Sequence, residues 1–437
     1  MKPMRTPLLA VLALTLGCSP QQRGSKDGPG RGDAGAKPAD AGVASRPDAT
    51  IGVSPVTTWP TSEPCRMGAR PSWDLRVKHL LAIPRTAPSP MPGIDRAEQI
   101  AADQGWNHCA VLGDRALSCW GSEVAGTLGD DPKNALPHRL DKPGDVVEVA
   151  LGGFHFCARR ADATVWCWGA STTGQLGPNA GSHEDWGTPV QIPGLGDPRQ
   201  LAAGLGFTCA RLGDGTVWCW GQNTSGQLGD GSRQARPAPR PVSGLRDGAF
   251  IAAGPAQVCA ATRDGAAWCW GDLVATQCAE TQATPTRVPG VSGAIEIAVG
   301  AGHACVLGND GIARCWGAND AGQIGDGTVD HRFTPVPVVD LSGVAHIAAG
   351  ASHTCALASD GTLRCWGANQ LGQVDGGATK ESRHRQPVVI GGLGSVTGMA
   401  LSEMSTCVRR SDGSLWCWGI TTAPQVDRVL GASPSGK

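Results

Sequence analysis

The sequence predicts an all-β protein, a single seven-bladed β-propeller behind a disordered N-terminal tether. Three observations lead there. The triplet Cys-Trp-Gly starts at Cys119, Cys167, Cys219, Cys269, Cys315, Cys365 and Cys417. Its tryptophans (Trp120, Trp168, Trp220, Trp270, Trp316, Trp366, Trp418) lie 48, 52, 50, 46, 50 and 52 residues apart, and a period near fifty marks a repeat architecture. A second Cys stands ten residues ahead of each triplet: Cys109, Cys157, Cys209, Cys259, Cys305, Cys355 and Cys407. Three to four short strands fit into each copy, and long helical periodicity is absent, which is the profile of propeller blades.

The copy from Ile347 to Gln373 shows what one repeat builds. Cys355 and Cys365 are equidistant from Asp360 in Ser359-Asp360-Gly361. A three-residue hairpin loop gives that register, with a type I turn followed by a glycine in the left-handed region. The two cysteines then face each other on neighbouring strands, within reach of a disulfide. Alternation sends both indoles of Trp166-Cys167-Trp168 to one face and the sulfur to the other. Trp218-Cys219-Trp220, Trp268-Cys269-Trp270 and Trp416-Cys417-Trp418 repeat the pattern. A small sheet with sulfur on one side and indole on the other buries both faces by stacking in a ring.

In chain order, residues 1–18 read as an export signal. Lys2 and Arg5 precede an apolar segment from Leu8 to Leu16, and Leu16-Gly17-Cys18 resembles a lipobox in which Cys18 is lipidated. Ordinary signal cleavage is the alternative, because Thr15 departs from the usual box. Residues 19–55 hold almost nothing to bury and read as a disordered linker. Residues 56–90 form an N-terminal extension packing on the propeller, 91–430 the seven repeats, and 431–437 a flexible tail. Met91-Pro92-Gly93-Ile94 resembles Val288-Pro289-Gly290-Val291 and sets the boundary at 91. Ala423-Pro424-Gln425-Val426 resembles the opening of a further blade, so one terminus supplies a closing strand; the residues leave open which.

Of 17 Cys, Cys18 takes the lipid and fourteen form the in-repeat pairs, leaving Cys65 and Cys278 for an eighth bridge. The alternative for the repeats is buried reduced thiols. Adjacent-strand pairs lack the extra ligands zinc needs, and no C-x₂-C occurs. The composition carries 63 Gly, 5 Phe and no Tyr, so tryptophan supplies nearly all the aromatic packing. A formal charge of −1 gives no ground for a nucleic-acid partner or for membrane contact other than a lipid anchor.

Gly221 to Gly231 (GQNTSGQLGDG), Gly317 to Gly327 (GANDAGQIGDG) and Gly367 to Gln373 (GANQLGQ) resemble the signature of the regulator-of-chromosome-condensation repeat. The resemblance covers roughly 90–430 and implies a seven-bladed propeller. Arg115 and Ala163 stand where the turn glycine belongs, and copies four and seven lack the Gly-Gln-Leu-Gly loop. Relatives include an exchange factor for a small GTPase and a secreted inhibitor of β-lactamases; neither activity carries over residue by residue.

Chemistry-bearing residues each have a structural reading. Asn107, His155, Phe207, Gln257, His303, His353 and Ser405 precede the first Cys of the copies by two places; their histidines are expected to bond within their own blades rather than to bind metal. Asp214, Asp264, Asp310, Asp360 and Asp412 fit turn chemistry. Lys380 to Arg385 reads as a solvated basic loop, and Trp59, Trp106 and Trp186 stand outside the series as candidate contacts. No catalytic, cofactor or metal residues are assigned. The expectation is a monomeric, non-enzymatic propeller that binds an unidentified protein, exported to the outer membrane or the periplasmic face of the envelope. A carbohydrate-binding or enzymatic propeller is the alternative.

Overall fold

A computed structural model describes residues 86–121, 137–180, 187–273 and 281–421, all within one compact unit, Val56–Lys437. Cys18, the expected linker, Cys65, Cys278, Trp59, Trp186 and residues 422–437 lie outside the described residues. The fold is all-β.

Strand β1 (Thr86–Pro90) comes first, and blade 1 follows as β2 (Ala97–Ala102), β3 (His108–Leu112), β4 (Leu117–Trp120) and β5 (His138–Leu140). Blade 2 holds β6 (Val146–Leu151), β7 (His155–Arg160), β8 (Val165–Gly169) and β9 (Val190–Gln191). Blade 3 holds β10 (Pro198–Gly204), β11 (Phe207–Leu212), β12 (Val217–Gly221) and β13 (Arg236–Pro241). Blade 4 is β14 (Gly248–Ala253), β15 (Gln257–Thr262), β16 (Ala267–Asp272) and β17 (Thr281–Arg287). Blade 5 is β18 (Ala294–Val299), β19 (His303–Gly308), β20 (Ala313–Gly317) and β21 (Arg332–Pro337). Blade 6 is β22 (Val344–Ala349), β23 (His353–Ala358), β24 (Leu363–Ala368) and β25 (Arg383–Ile390). Among the described residues, blade 7 brings β26 (Val396–Leu401), β27 (Ser405–Arg410) and β28 (Leu415–Gly419) from its own stretch.

Its fourth strand is β1, which lies antiparallel on β28 with Pro90 opposite Trp416. The N-terminal side therefore closes the ring, the point the sequence left open. Residues 86–90, ahead of the boundary expected at 91, are a strand of the seventh sheet, and Met91–Ile94 turns from there into blade 1. First strands touch first strands all round, β2 meeting both β6 and β26.

Within each blade the hairpin register is the one the cysteine spacing requires. Cys355 pairs with Cys365, and Gly361 closes the loop with φ 83° and an N–H given to the Ala358 carbonyl at 2.9 Å. Among the described residues seven disulfides form, with Cα atoms 4.0–4.1 Å apart. Arg115 and Ala163 keep the left-handed turn at φ 64° without being glycine, at a cost of roughly 1–2 kcal/mol each.

Stacking buries both faces. The Cys209–Cys219 face of blade 3 packs against Trp270 of blade 4, and the Cys355–Cys365 face of blade 6 against Trp418 of blade 7. The same sandwich joins every neighbouring pair, ending with Cys407 and Cys417 against Trp120 of blade 1. All seven indoles are at most 2% exposed. Each sheet is too small to hold a core alone, so the core is seven seams.

Candidate functional site

Two rims bound the ring. One carries the Asp turns between second and third strands; the other carries the loops that join first strand to second and third to fourth. Asp214 accepts hydrogen bonds from Thr216 N (2.8 Å) and Thr216 Oγ1 (2.7 Å), and Asp360 from Thr362 N (2.8 Å). Asp264, Asp310 and Asp412 bond their own turns likewise; the Arg314 guanidinium together with the turn holds the Asp310 carboxyl below the ordinary range, and the turn hydroxyls and amides do so for Asp264 and Asp412. They are turn residues.

The histidines are structural in a way the sequence did not show. His155 Nε2 meets Thr208 Oγ1 at 2.7 Å, His303 Nε2 meets Thr354 Oγ1 at 2.8 Å, and His353 Nε2 meets Thr406 Oγ1 at 2.9 Å. Each partner belongs to the next blade, which corrects the expectation of bonding within one blade. The Thr354 and Thr406 hydroxyls donate onward to the Gln323 and Gln373 carbonyls, so the facing His303 and His353 Nε2 carry the protons. Burial lowers His155 and His303 to about 4 and His353 to about 3, so the rings are neutral near pH 7.

The Gly-Gln-Leu-Gly loop serves the same seams. Trp220, Trp270, Trp366 and Trp418 each donate their indole N–H to the backbone of the preceding blade's loop, at Gln175, Gln227, Gln323 and Gln373. Asn223, Asn319 and Asn369 brace those loops by accepting from Leu228, Ile324 and Val374 N.

Blades 2 to 6 carry stretches that match regulator of chromosome condensation repeats. Two models, each described as the regulator of chromosome condensation (RCC1) repeat, match this chain: one at 146–175, 199–227, 294–323 and 344–373, the other at 162–211, 214–260 and 310–357. Among solved structures, human WBSCR16 is similar at 19% identity with a TM-score of 0.66, covering 76% of this chain and 89% of that one. Prp20p of Saccharomyces cerevisiae, described with its binding properties to Gsp1p and histones, has a TM-score of 0.62 at 19% identity, over 79% and 93%. Yeast RCC1 (Prp20) bound to Kap60 gives 0.62 at 19%, over 85% and 97%. These likenesses show the fold. No curated protein matches the chain.

On the loop rim the repeats' first strands converge closely. A Cβ on Gly204 would lie 2.3 Å from the Gly254 carbonyl oxygen, and one on Gly350 2.4 Å from that of Ser402. Blade 1 breaks this pattern with Asp103-Gln104-Gly105-Trp106-Asn107, one residue longer than its counterparts. Gln104 Nε2 reaches the Val299 carbonyl of blade 5 at 3.4 Å, so its side chain crosses the axis. Asp103 beneath it is 1% exposed and accepts from Gly105 N (2.7 Å), Asn107 N (3.0 Å) and Asn107 Nδ2 (2.7 Å). Burial outweighs those bonds and raises its carboxyl to about 6.

Around this crossing the same rim carries large apolar residues on four consecutive blades: Met404, Trp106, Phe154 and Leu205. Trp106 packs beside Leu371, Met404 and Ile420, whereas Phe154 and Leu205 are 43% and 40% exposed. Leu205 lies over Gly153, whose Cβ position is 2.5 Å from Leu205 Cδ2. The corresponding places in blades 4 to 6 hold only Pro255, Ala256, Ala301, Gly302, Ala351 and Ser352. Phe154 and Leu205 occupy positions that vary between copies, so the repeat pattern does not mark them. The variation was itself the available signal.

In the segment Lys380–Arg385 every residue but His384 is exposed, as expected of a solvated stretch, though only Lys380 to Ser382 is loop. Arg383 to Ile390 is the outer strand of blade 6, and His384 is buried against Asp375 Oδ2 (3.2 Å) and Asn369 Nδ2 (3.2 Å).

Proposed function

We propose that this chain is a non-enzymatic, monomeric propeller that binds another protein through the loop rim of blades 7, 1, 2 and 3. The observation that carries the reading is the exposed pair Phe154 and Leu205, on adjacent loops of one rigid ring. Exposed aromatic and aliphatic residues grouped on a scaffold are what an interface core uses. Gln104 reaches across the axis at the same rim, where a propeller would otherwise present an open funnel to a small substrate. Each histidine Nε2 seen in a seam is already bonded to a hydroxyl, which favours a structural role over catalysis. Prp20p, similar in fold, is described as binding protein partners, in line with such use of the ring.

The setting proposed is outside the reducing cytosol, because seven disulfides need an oxidising compartment to form and persist. Anchoring through a lipid on Cys18, at the outer membrane or the periplasmic face, completes the reading. The test is a photo-crosslinking residue at position 154 in the native envelope, with position 360 on the opposite rim as control. A discrete protein adduct from 154 and none from 360 is expected. Capture of polysaccharide alone, or identical adducts from both positions, would overturn the proposal.

A further inference from the structure

Six of the seven turns that lead into a first strand place an aliphatic side chain in the seam: Ile94, Leu195, Leu245, Val291, Leu341 and Leu393. The turn before blade 2 carries Pro143 at that place, three residues ahead of β6, as Leu195 is three ahead of β10. Three seams show what a leucine does there. Leu195 shares an apolar cluster with Trp218, Leu245 with Trp268, and Leu393 with Trp416. These indoles are the outer tryptophans of their Trp-Cys-Trp triplets. The fourth such indole, Trp166, has only the shorter Pro143 ring and stands outside the cluster of its own seam.

What remains is a cleft of about 370 Å³ lined by Lys142, Pro143, Gly144, Arg160, Trp166 and Pro189. Trp166 gives its N–H to Thr164 Oγ1 at 3.0 Å, so the ring offers the cleft carbon surface with its polar atom already satisfied. The Arg160 guanidinium is held by Asp162 Oδ2 (2.8 Å) and the Gly144 carbonyl (2.8 Å). The remaining cation of the lining is the exposed Lys142.

We propose that this cleft is a second docking site, which takes a leucine-like side chain of a protein partner with an acidic residue beside it. The chain's own seams define the occupant's apolar part, since a leucine at the same place shares an apolar cluster with Trp218, Trp268 and Trp416. Lys142 at the lip supplies the complement to a neighbouring carboxylate. The proposal rests on the reading of the ring as a protein-binding scaffold. It concerns the opposite rim from Phe154, so the two readings fail separately.

The test titrates the full chain, ¹⁵N-labelled at tryptophan, with acetyl-Leu-Asp-amide, acetyl-Ala-Asp-amide and acetyl-Leu-Lys-amide. The Trp166 indole signal is identified by its loss in Trp166→Phe. A saturable shift of that signal is expected, with acetyl-Leu-Asp-amide binding at least about fivefold tighter than either of the others. Gly144→Leu fills the cleft, since a Cβ there meets nothing nearer than the Asp141 carbonyl at 3.8 Å, and should abolish the shift. Lys142→Glu, a surface change that leaves the cleft's walls intact, should reverse the preference between the acidic and basic dipeptides. An unmoved Trp166 signal, equal binding of all three dipeptides, or full binding by a folded Gly144→Leu protein would each overturn the site.

Discussion

The seam between blades 6 and 7 and the seam between blades 7 and 1 share a cystine packed against a tryptophan and differ in their polar contacts. At the first, His353 bonds Thr406, Thr406 bonds the Gln373 carbonyl, and Trp418 bonds that same carbonyl. At the second, the hydroxyl and the imidazole have exchanged sides. Ser405 of blade 7 stands at the histidine position and meets His108 Nε2 of blade 1 at 3.0 Å. His108 then stacks on Trp120, with ring centroids 5.4 Å apart and planes 9° apart. The Trp120 N–H has no acceptor among the described residues. The difference teaches what the fold demands. Cystine against tryptophan is common to every seam, while the polar contact above it changes from one seam to another.

The strongest way to break this comparison is to remove β1. A chain beginning at Met91 leaves β28 as an open edge, and the fall in Tm by calorimetry should be on the order of 10 °C. Next come the disulfides. Cys355→Ala/Cys365→Ala and Cys407→Ala/Cys417→Ala should each cost about 2–3 kcal/mol in urea unfolding. Equal losses are expected, because the two seams share this layer; a clear inequality would break the parallel.

The polar exchange is sharpened by a mutant cycle. Ser405→His and His108→Thr should each cost about 1–3 kcal/mol alone, by leaving a buried group unpaired. Together they restore the ordinary arrangement, and a coupling of about 0.5–3 kcal/mol is expected.

Acid separates the seams as well. His108 is lowered to about 4, as are His155 and His303, and His353 to about 3, against an unfolded value near 6.5. Stability from these groups is complete above pH 6.5 and is lost as pH falls toward 4 and below. Asp103, raised to about 6 from 3.8, works in the other direction: its contribution is complete below 3.8 and is lost as pH rises through 6. The blade 1 side of the closing seam therefore offsets part of its own acid sensitivity. Asp103→Asn should make the drop in stability between pH 6.5 and 4 steeper, as measured by urea midpoints. The smallest effect belongs to the left-handed turn positions, where Ala163→Gly should stabilise by about 1 kcal/mol.

Much of this was legible in the chain. Cysteine spacing gave the hairpin register, and the Trp-Cys-Trp alternation gave the two faces, because strand geometry leaves no other arrangement of those residues. The reading stopped where contacts cross between blades. The partner of His155 is Thr208, 53 residues away, and nothing local marks the pair. Closure by β1 was undecided because a five-residue strand of Thr, Ala, Pro and Ser carries no strong pattern of its own. Phe154, Leu205 and the cleft at Pro143 are departures from the repeat, so averaging over copies hides them.

Hydrogen exchange across blade 7 tests closure most directly. Met91 N donates to the Leu415 carbonyl at 2.8 Å, and β28 is paired on both sides. In the full chain, β28 and the Met91 amide should exchange as slowly as β24, the interior strand of blade 6. A β28 that exchanges orders of magnitude faster than β24 would mean that the seventh sheet ends there and the ring is open.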